Sequence, residues 1–223
     1  MLKIENVDIV GWETAIRGMR NPMNSWAKSD TLFFCPSQGD IRKIGEGPNL
    51  ELMSEIGPND AGLMMKLRNC GTDHRKFMRM ITVYMDITAP LYWWKEYDTY
   101  KVGTVANACS TMHKISAKEF TLDDFSHEHL QKDSIAVLES VIHTLNVHRE
   151  LFNKEALDDP KIDWWQMIQL LPSSYNQRRT VMLNYEVLAN MYKSRNNHKL
   201  DEWRTFCEYV KTFPYSELIT GKE

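Results

Sequence analysis

Ile81, Val83, Met85 and Ile87 stand two residues apart in "FMRMITVYMDI" (77–87), with Met80, Thr82, Tyr84 and Asp86 between them. A period of two puts one set on one face of an extended segment, so this run predicts a strand with a buried side. Ala89-Pro90 ends it, because proline has no N–H to give to a sheet ladder. A lone strand is not stable, so the chain must build a sheet and cover its apolar face. "LKIENVDIV" (2–10) alternates in the same way and predicts a further strand. "WETAIRGMR" (12–20) predicts a short helix that Pro22 soon ends.

The rest of the chain follows a different period. "DSIAVLESVIHTLNVHRELF" (133–152) places Leu138, Val141, Ile142 and Leu145 on one helical stripe. "DWWQMIQLL" (163–171) predicts a helix stopped by Pro172, and "RRTVMLNYEVLANMYKSR" (178–195) predicts a long one. "LDEWRTFCEYVKTF" (200–213) predicts another, with Leu200, Trp203, Cys207 and Val210 in line. Earlier, "NDAGLMMKLRNCG" (59–71) predicts a helix capped by Asn59 or Asp60 and left through Gly71. Residues 35–62 are rich in Gly, Pro, Asn and Ser and predict a long loop. With no repeat and no linker, the expectation is one α+β domain over 1–223, a mixed or antiparallel sheet with a helical C-terminal half.

Several function classes are disfavoured early. A formal charge of −3 over 223 residues argues against binding a nucleic-acid polymer, which needs a strongly basic surface. Cys35, Cys70, Cys109 and Cys207 form no CxxC pair, so neither a zinc site nor a redox dithiol is expected. The lack of a signal-like start makes a reducing cytoplasm the default, and no apolar run approaches the roughly 20 residues of a membrane span. "IGEGPN" lacks the Lys-Ser/Thr of a phosphate loop, and no GxSxG is present. His127 and His129 are two apart with no third metal ligand in view, so a solvated loop is the expectation and no metal site is assigned. Free cysteines are usually buried and inert, and Cys109 is expected to be so. Thr121 ahead of Asp123-Asp124 predicts a capped helix start.

The most charged face runs over 178–204, with Arg178, Arg179, Lys193, Arg195, His198 and Arg204. Asn184, Asn190 and Arg195 follow at spacings of six and five, a slanting path over about three helical turns. Asparagine both donates and accepts, and arginine offers a fork, so such a set can grip a base and a phosphate. It can equally be a solvated face with interhelical bonds. "APLYWWKEYDTYKVGTVANACSTMH" (89–113) adds Trp93 and Trp94, which suit stacking on a flavin or base, or a place in the core.

These residues resemble the flavin-dependent thymidylate synthases. The family's Leu-Pro is followed by Asn, Asn and Arg, matched here by Pro172, Asn184, Asn190 and Arg195 without a gap. His198 and Glu202 fit the family's His and acidic residue after one deletion. Arg17 and Arg20 match its N-terminal helix, and His74 in "DHRKF" matches its Glu-His-x-x-Phe. Between Ala89-Pro90 and His113 the frame persists while the chemistry changes. Lys95-Glu96 stands for Arg-Gln, Thr99-Tyr100-Lys101 for Arg-His-Arg, and Thr104 for a serine. Asn107 and Ser110 fit, but Ala108, Met112 and His113 replace Glu, Arg and Tyr.

The resemblance implies a site in which these Asn and Arg positions contact flavin and a pyrimidine nucleotide. It implies FAD as cofactor, with NADPH and methylenetetrahydrofolate only if catalysis survives, and a homotetramer. Arg→Lys at 95 and 101 keeps charge but loses the fork, and the changes at 99 and 112 remove charge. Each lost charge-assisted bond costs on the order of 1.5–3 kcal/mol. Arg178, Arg179 and Lys114 are the candidate replacements. The expectation is therefore a protein that binds a nucleotide-like ligand on this scaffold, with ordinary dUMP methylation in doubt. The alternatives are a divergent FAD-dependent enzyme acting on a pyrimidine nucleotide, and a scaffold for another macromolecule.

Overall fold

In the computed structural model, residues 1–33, 54–155 and 159–221 are described. The sheet order is β1 (Lys3–Val10), β4 (Thr82–Pro90), β6 (Asn176–Asn184) and β5 (Val105–Ala108), and the sheet is antiparallel. A two-stranded ribbon joins β2 (Leu32–Phe33) to β3 (Ser54–Glu55). The helices are α1 (Trp12–Arg20), α2 (Pro58–Asn69), α3 (Leu91–Tyr97), α4 (Thr111–Lys114), α5 (Lys132–Asn153), α6 (Lys161–Leu170), α7 (Tyr185–Arg195), α8 (Asp201–Val210) and α9 (Glu217–Thr220). The architecture is α+β, as the two periods in the sequence require.

Two compact units are distinguished. One comprises Met1–Lys3, Ile87–Thr99 and Asn107–Arg179, and the other Ile4–Asp86, Tyr100–Ala106 and Thr180–Glu223. In the first, α5 packs on α6 around Ile115, Phe120, Phe125, Leu138, Ile142, Leu145 and Met167. In the second, the buried side chains come from β1, β4 and β6 and from α1, α7 and α8, and include Ile16, Val83, Leu183, Leu188, Trp203 and Phe206.

The alternation at 81–87 is expressed fully: Ile81, Val83, Met85 and Ile87 are all at 0% exposure. The strand itself starts at Thr82, after a 3-10 turn over Arg75–Arg79, and continues to Pro90. Gly71 adopts φ 100°, the left-handed conformation that a side chain resists. The expected cap of α2 is corrected. Gly57 is the N-cap, Pro58 follows it, and Asp60 is fully buried against Arg20. Of the loop predicted over 35–62, residues 35–53 lie outside the described residues, and the remainder overlaps β3 and the start of α2.

The largest correction concerns 178–195. This is not one helix: β6 runs to Asn184 and α7 starts at Tyr185. Gln177, Val181 and Leu183 are buried, while Arg178 and Thr180 between them are exposed. Pairing in the sheet decides the segment, because it buries that alternating face, and helix propensity is the weaker influence.

Candidate functional site

The first unit contains a cavity of about 380 Å³. Its walls come from the start of β1, from β4, from the segment Cys109–Lys118 around α4, from Asp123-Asp124 and from Tyr175–Arg178. Sheet pairing brings these distant segments together. Cys109 N donates to the Arg178 carbonyl at 2.9 Å, and Gln177 Nε2 donates to the Cys109 carbonyl at 2.9 Å. Leu91 N donates to the Tyr175 carbonyl at 3.0 Å, which fixes the start of α3.

The cavity's charge is lopsided. Lys3, Lys114, Lys118 and Arg178 line it, against the carboxylates of Asp123 and Asp124. Lys118 forms an ion pair with Asp124, and that hydrogen bond holds the ammonium above the ordinary lysine range. Asp124 is further engaged as the end of a capping box, accepting from Thr121 N at 2.9 Å and from its hydroxyl at 3.1 Å. The capped start predicted at Thr121 is thus present, on a 3-10 turn (Leu122–Asp124). Burial, then the nearby Asp124 charge, raises the Tyr175 phenol, so it stays neutral and able to donate. A concave basic wall with neutral hydrogen-bonding groups suits a small anion such as a phosphate ester.

Ser110 and Arg178 are predicted site residues that reach this cavity, and Lys114, the other candidate replacement in its wall, does so too. Ser110 also caps α4, its hydroxyl accepting from His113 N at 3.1 Å. Cys109 corrects its expectation, since it is exposed and lines the cavity. Arg179 is committed. It donates to Gln177 Oε1 at 3.0 Å and to Asp98 at 2.8 Å, and its guanidinium lies 4.2 Å from the Trp94 ring centroid. Trp93 and Trp94 are at 0% and 1% exposure, packed against each other and Tyr97, so they are core and offer no stacking face to a ligand. Trp94 Nε1 donates to the Gln177 carbonyl at 2.9 Å. Lys95 and Asn107 are exposed.

The second unit holds the remaining predicted residues. Asn184 is the N-cap of α7, its Oδ1 accepting from Val187 N at 3.1 Å. The slanting helical path through Asn184, Asn190 and Arg195 therefore does not exist, because its first member ends a strand. Asn190 is exposed and accepts from Arg75 at 3.5 Å. Arg75 also pairs with the buried Glu186, as does Arg79. His74, adjacent in sequence, is exposed.

Arg195 is half-buried and held by protein groups. Its Nε donates to Tyr100 Oη at 3.0 Å, its Nη1 meets His198 Nε2 at 3.0 Å, and its guanidinium lies 4.9 Å from the Trp203 ring. Thr104 donates to the Tyr100 carbonyl, and Lys101 is exposed. Arg20, matched to the N-terminal helix, is 4% exposed and bound to Asp60, so its role is structural. His127 lies outside any helix or strand with Nδ1 2.8 Å from the Phe125 carbonyl, and among the described residues no group of three potential ligands surrounds a metal position.

Sequence reasoning missed Lys3, Lys118, Asp123, Tyr175 and Asn176 as cavity residues. Each is ordinary in its own segment, and only the sheet register collects them.

No family model matches the chain, and no curated protein matches it. Solved structures do. A thymidylate synthase X (ThyX) from Helicobacter pylori, crystallised with FAD and dUMP, superposes with a TM-score of 0.64 at 13% identity, covering 98% of this chain and 96% of that one. A second structure of the flavin-dependent enzyme from that organism, also with FAD and dUMP, gives 0.63 at 14%. The UMP/dUMP methylase PolB from Streptomyces cacaoi, bound with 5-Br dUMP, gives 0.57 at 12%, covering 99% of this chain and 95% of that one. The chain therefore has a ThyX-like fold over nearly its full length. No helix among the described residues is long and apolar enough to cross a membrane.

Proposed function

We propose that this chain binds a pyrimidine-nucleotide-like anion, with the ligand's phosphate in the cavity of the first unit. The observation that carries the reading is the lopsided lining: four basic side chains face two carboxylates, one of which already holds Lys118. The volume of about 380 Å³ is at the small end of the roughly 300–1,000 Å³ typical of ligand pockets, and suits a mononucleotide. Neighbours of the same fold crystallised with dUMP or 5-Br dUMP support it. Lys114 and Arg178 take the place of the arginines lost at 99 and 112. Removing both should abolish binding of dUMP measured by calorimetry, and unchanged affinity in that variant would exclude the site.

A second reading is a divergent FAD-dependent enzyme, favoured by the neighbours solved with FAD. The residues offered for flavin, by resemblance or as stacking rings, fit it poorly here. Trp93 and Trp94 are closed in the core, the Asn184 Oδ1 caps α7, and Arg195 is held by Tyr100, His198 and Trp203. Protein purified without added cofactor distinguishes the two: the binding-protein reading expects a colourless sample, and the enzyme reading a yellow one.

We take the chain as one domain that assembles as a homo-oligomer, a tetramer by resemblance. The edge strand β5 is exposed at all four positions, and Val102 and Val105 beside and within it are 90% and 60% exposed. Unprotected apolar edges of this kind are usually covered in an assembly. Light scattering showing a monomer at micromolar concentration counts against this.

A further inference from the structure

We propose that Asp123 makes the cavity selective for a phosphate ester carrying vicinal hydroxyls, a ribonucleotide in preference to a 2′-deoxyribonucleotide. This rests on the cavity holding the ligand's phosphate. The two acidic residues in its wall are not equivalent. Asp124 is used up: one oxygen holds Lys118 and the other ends the capping box. Asp123 lines the same cavity, is exposed, and among the described residues nothing hydrogen-bonds to it or pairs with it.

An open carboxylate beside a phosphate site opposes the anion unless the ligand brings donors to it. A carboxylate accepts through two oxygens, and a cis-diol presents two O–H donors side by side. An acidic side chain on ribose hydroxyls is a recurrent solution in nucleotide sites. A 2′-deoxyribose offers one donor fewer and leaves the same repulsion. Asp123 thus rewards the ribose and penalises its absence, while Lys114 and Arg178 hold the phosphate of either.

The test titrates UMP, dUMP and inorganic phosphate into the full chain by calorimetry, using wild type, D123N, D123A and K114A. A hydrogen bond to a charged acceptor predicts UMP about tenfold or more tighter than dUMP in wild type. In D123N and D123A the two affinities converge to within about twofold, and dUMP tightens because the repulsion is gone. K114A weakens both nucleotides alike. Melting curves confirm that the Asp123 variants are folded, as expected for an exposed side chain with no hydrogen bond or ion pair among the described residues. Equal affinities of UMP and dUMP for wild type overturn the ribose selection and leave the cavity reading intact. Persistence of the UMP preference in both Asp123 variants also overturns it. Absence of any nucleotide or phosphate binding, or wild-type binding by K114A, overturns the cavity reading and this selection with it.

Discussion

Replacing Asp60 by alanine should cost more stability than any surface change in the chain. Asp60 is at 0% exposure and Arg20 at 4%, joined at 2.6 Å. The carboxylate also accepts from Ser29 Oγ at 2.7 Å, Thr31 Oγ1 at 2.6 Å, and the backbone N–H groups of Asp30 and Thr31 at 3.1 Å. Truncation strands a buried guanidinium and removes the anchor of residues 29–31. Breaking a buried pair in this way costs about 3–5 kcal/mol. At about 2–4 °C per kcal/mol for a chain of this size, the melting temperature should fall by roughly 6–20 °C. The pH dependence adds a second readout. Burial pushes the Asp60 carboxyl up, but the bonds from Thr31, Ser29 and Arg20 outweigh it and hold it below the usual carboxylate range. Its contribution is therefore complete above the unfolded carboxylate value of about 4 and is lost as pH falls through the lower folded value. Thermal melts of wild type and D60A from pH 7 down to pH 2 measure both. A D60A melting point within 2 °C of wild type, or a gap that does not narrow in acid, would refute the reasoning.

Other outcomes follow from the same structure. Arg178→Ala should weaken a phosphate ligand about 10–100-fold in calorimetry, because it removes one charge-assisted contact to the ligand from the cavity wall. Asn184→Ala should cost about 0.5–2 kcal/mol in chemical denaturation through loss of the α7 cap, whereas Asn190→Ala at its exposed position should cost clearly less. Burial pushes the Cys207 thiol up to about 11, so at neutral pH it should resist iodoacetamide while exposed Cys109 reacts; peptide mapping by mass spectrometry reads both, and bound nucleotide should slow Cys109 alone.

The parts legible in the sequence were those governed by local period. The 81–87 alternation, the helix over 12–20 and the α8 stripe of Trp203, Cys207 and Val210 all appear as strand, helix and buried face. The 178–195 segment was not legible in this way. Arg178, Arg179, Met182 and Leu183 favour a helix while Thr180 and Val181 favour a strand, and what makes 176–184 a strand is pairing with sheet neighbours far away in sequence. Asn184, read as a ligand contact, shows how a capping signal and a binding signal share one residue type. Trp93 and Trp94 were open between stacking and core, and the unit's packing encloses them. The cavity was nearly invisible because Lys3, Thr88, Lys118 and Tyr175 come from separate segments with no shared motif. Ser110 gave a signal through its place in the resemblance, and Arg178 and Lys114 only as candidate replacements for the lost arginines.

The most direct measurement is dUMP binding by calorimetry to wild type and to the K114A/R178A double variant, with folding checked by melting. A phosphate site in the basic cavity predicts saturable one-site binding to wild type and at least about a hundredfold loss in the folded double variant. Equal binding by both proteins would contradict it.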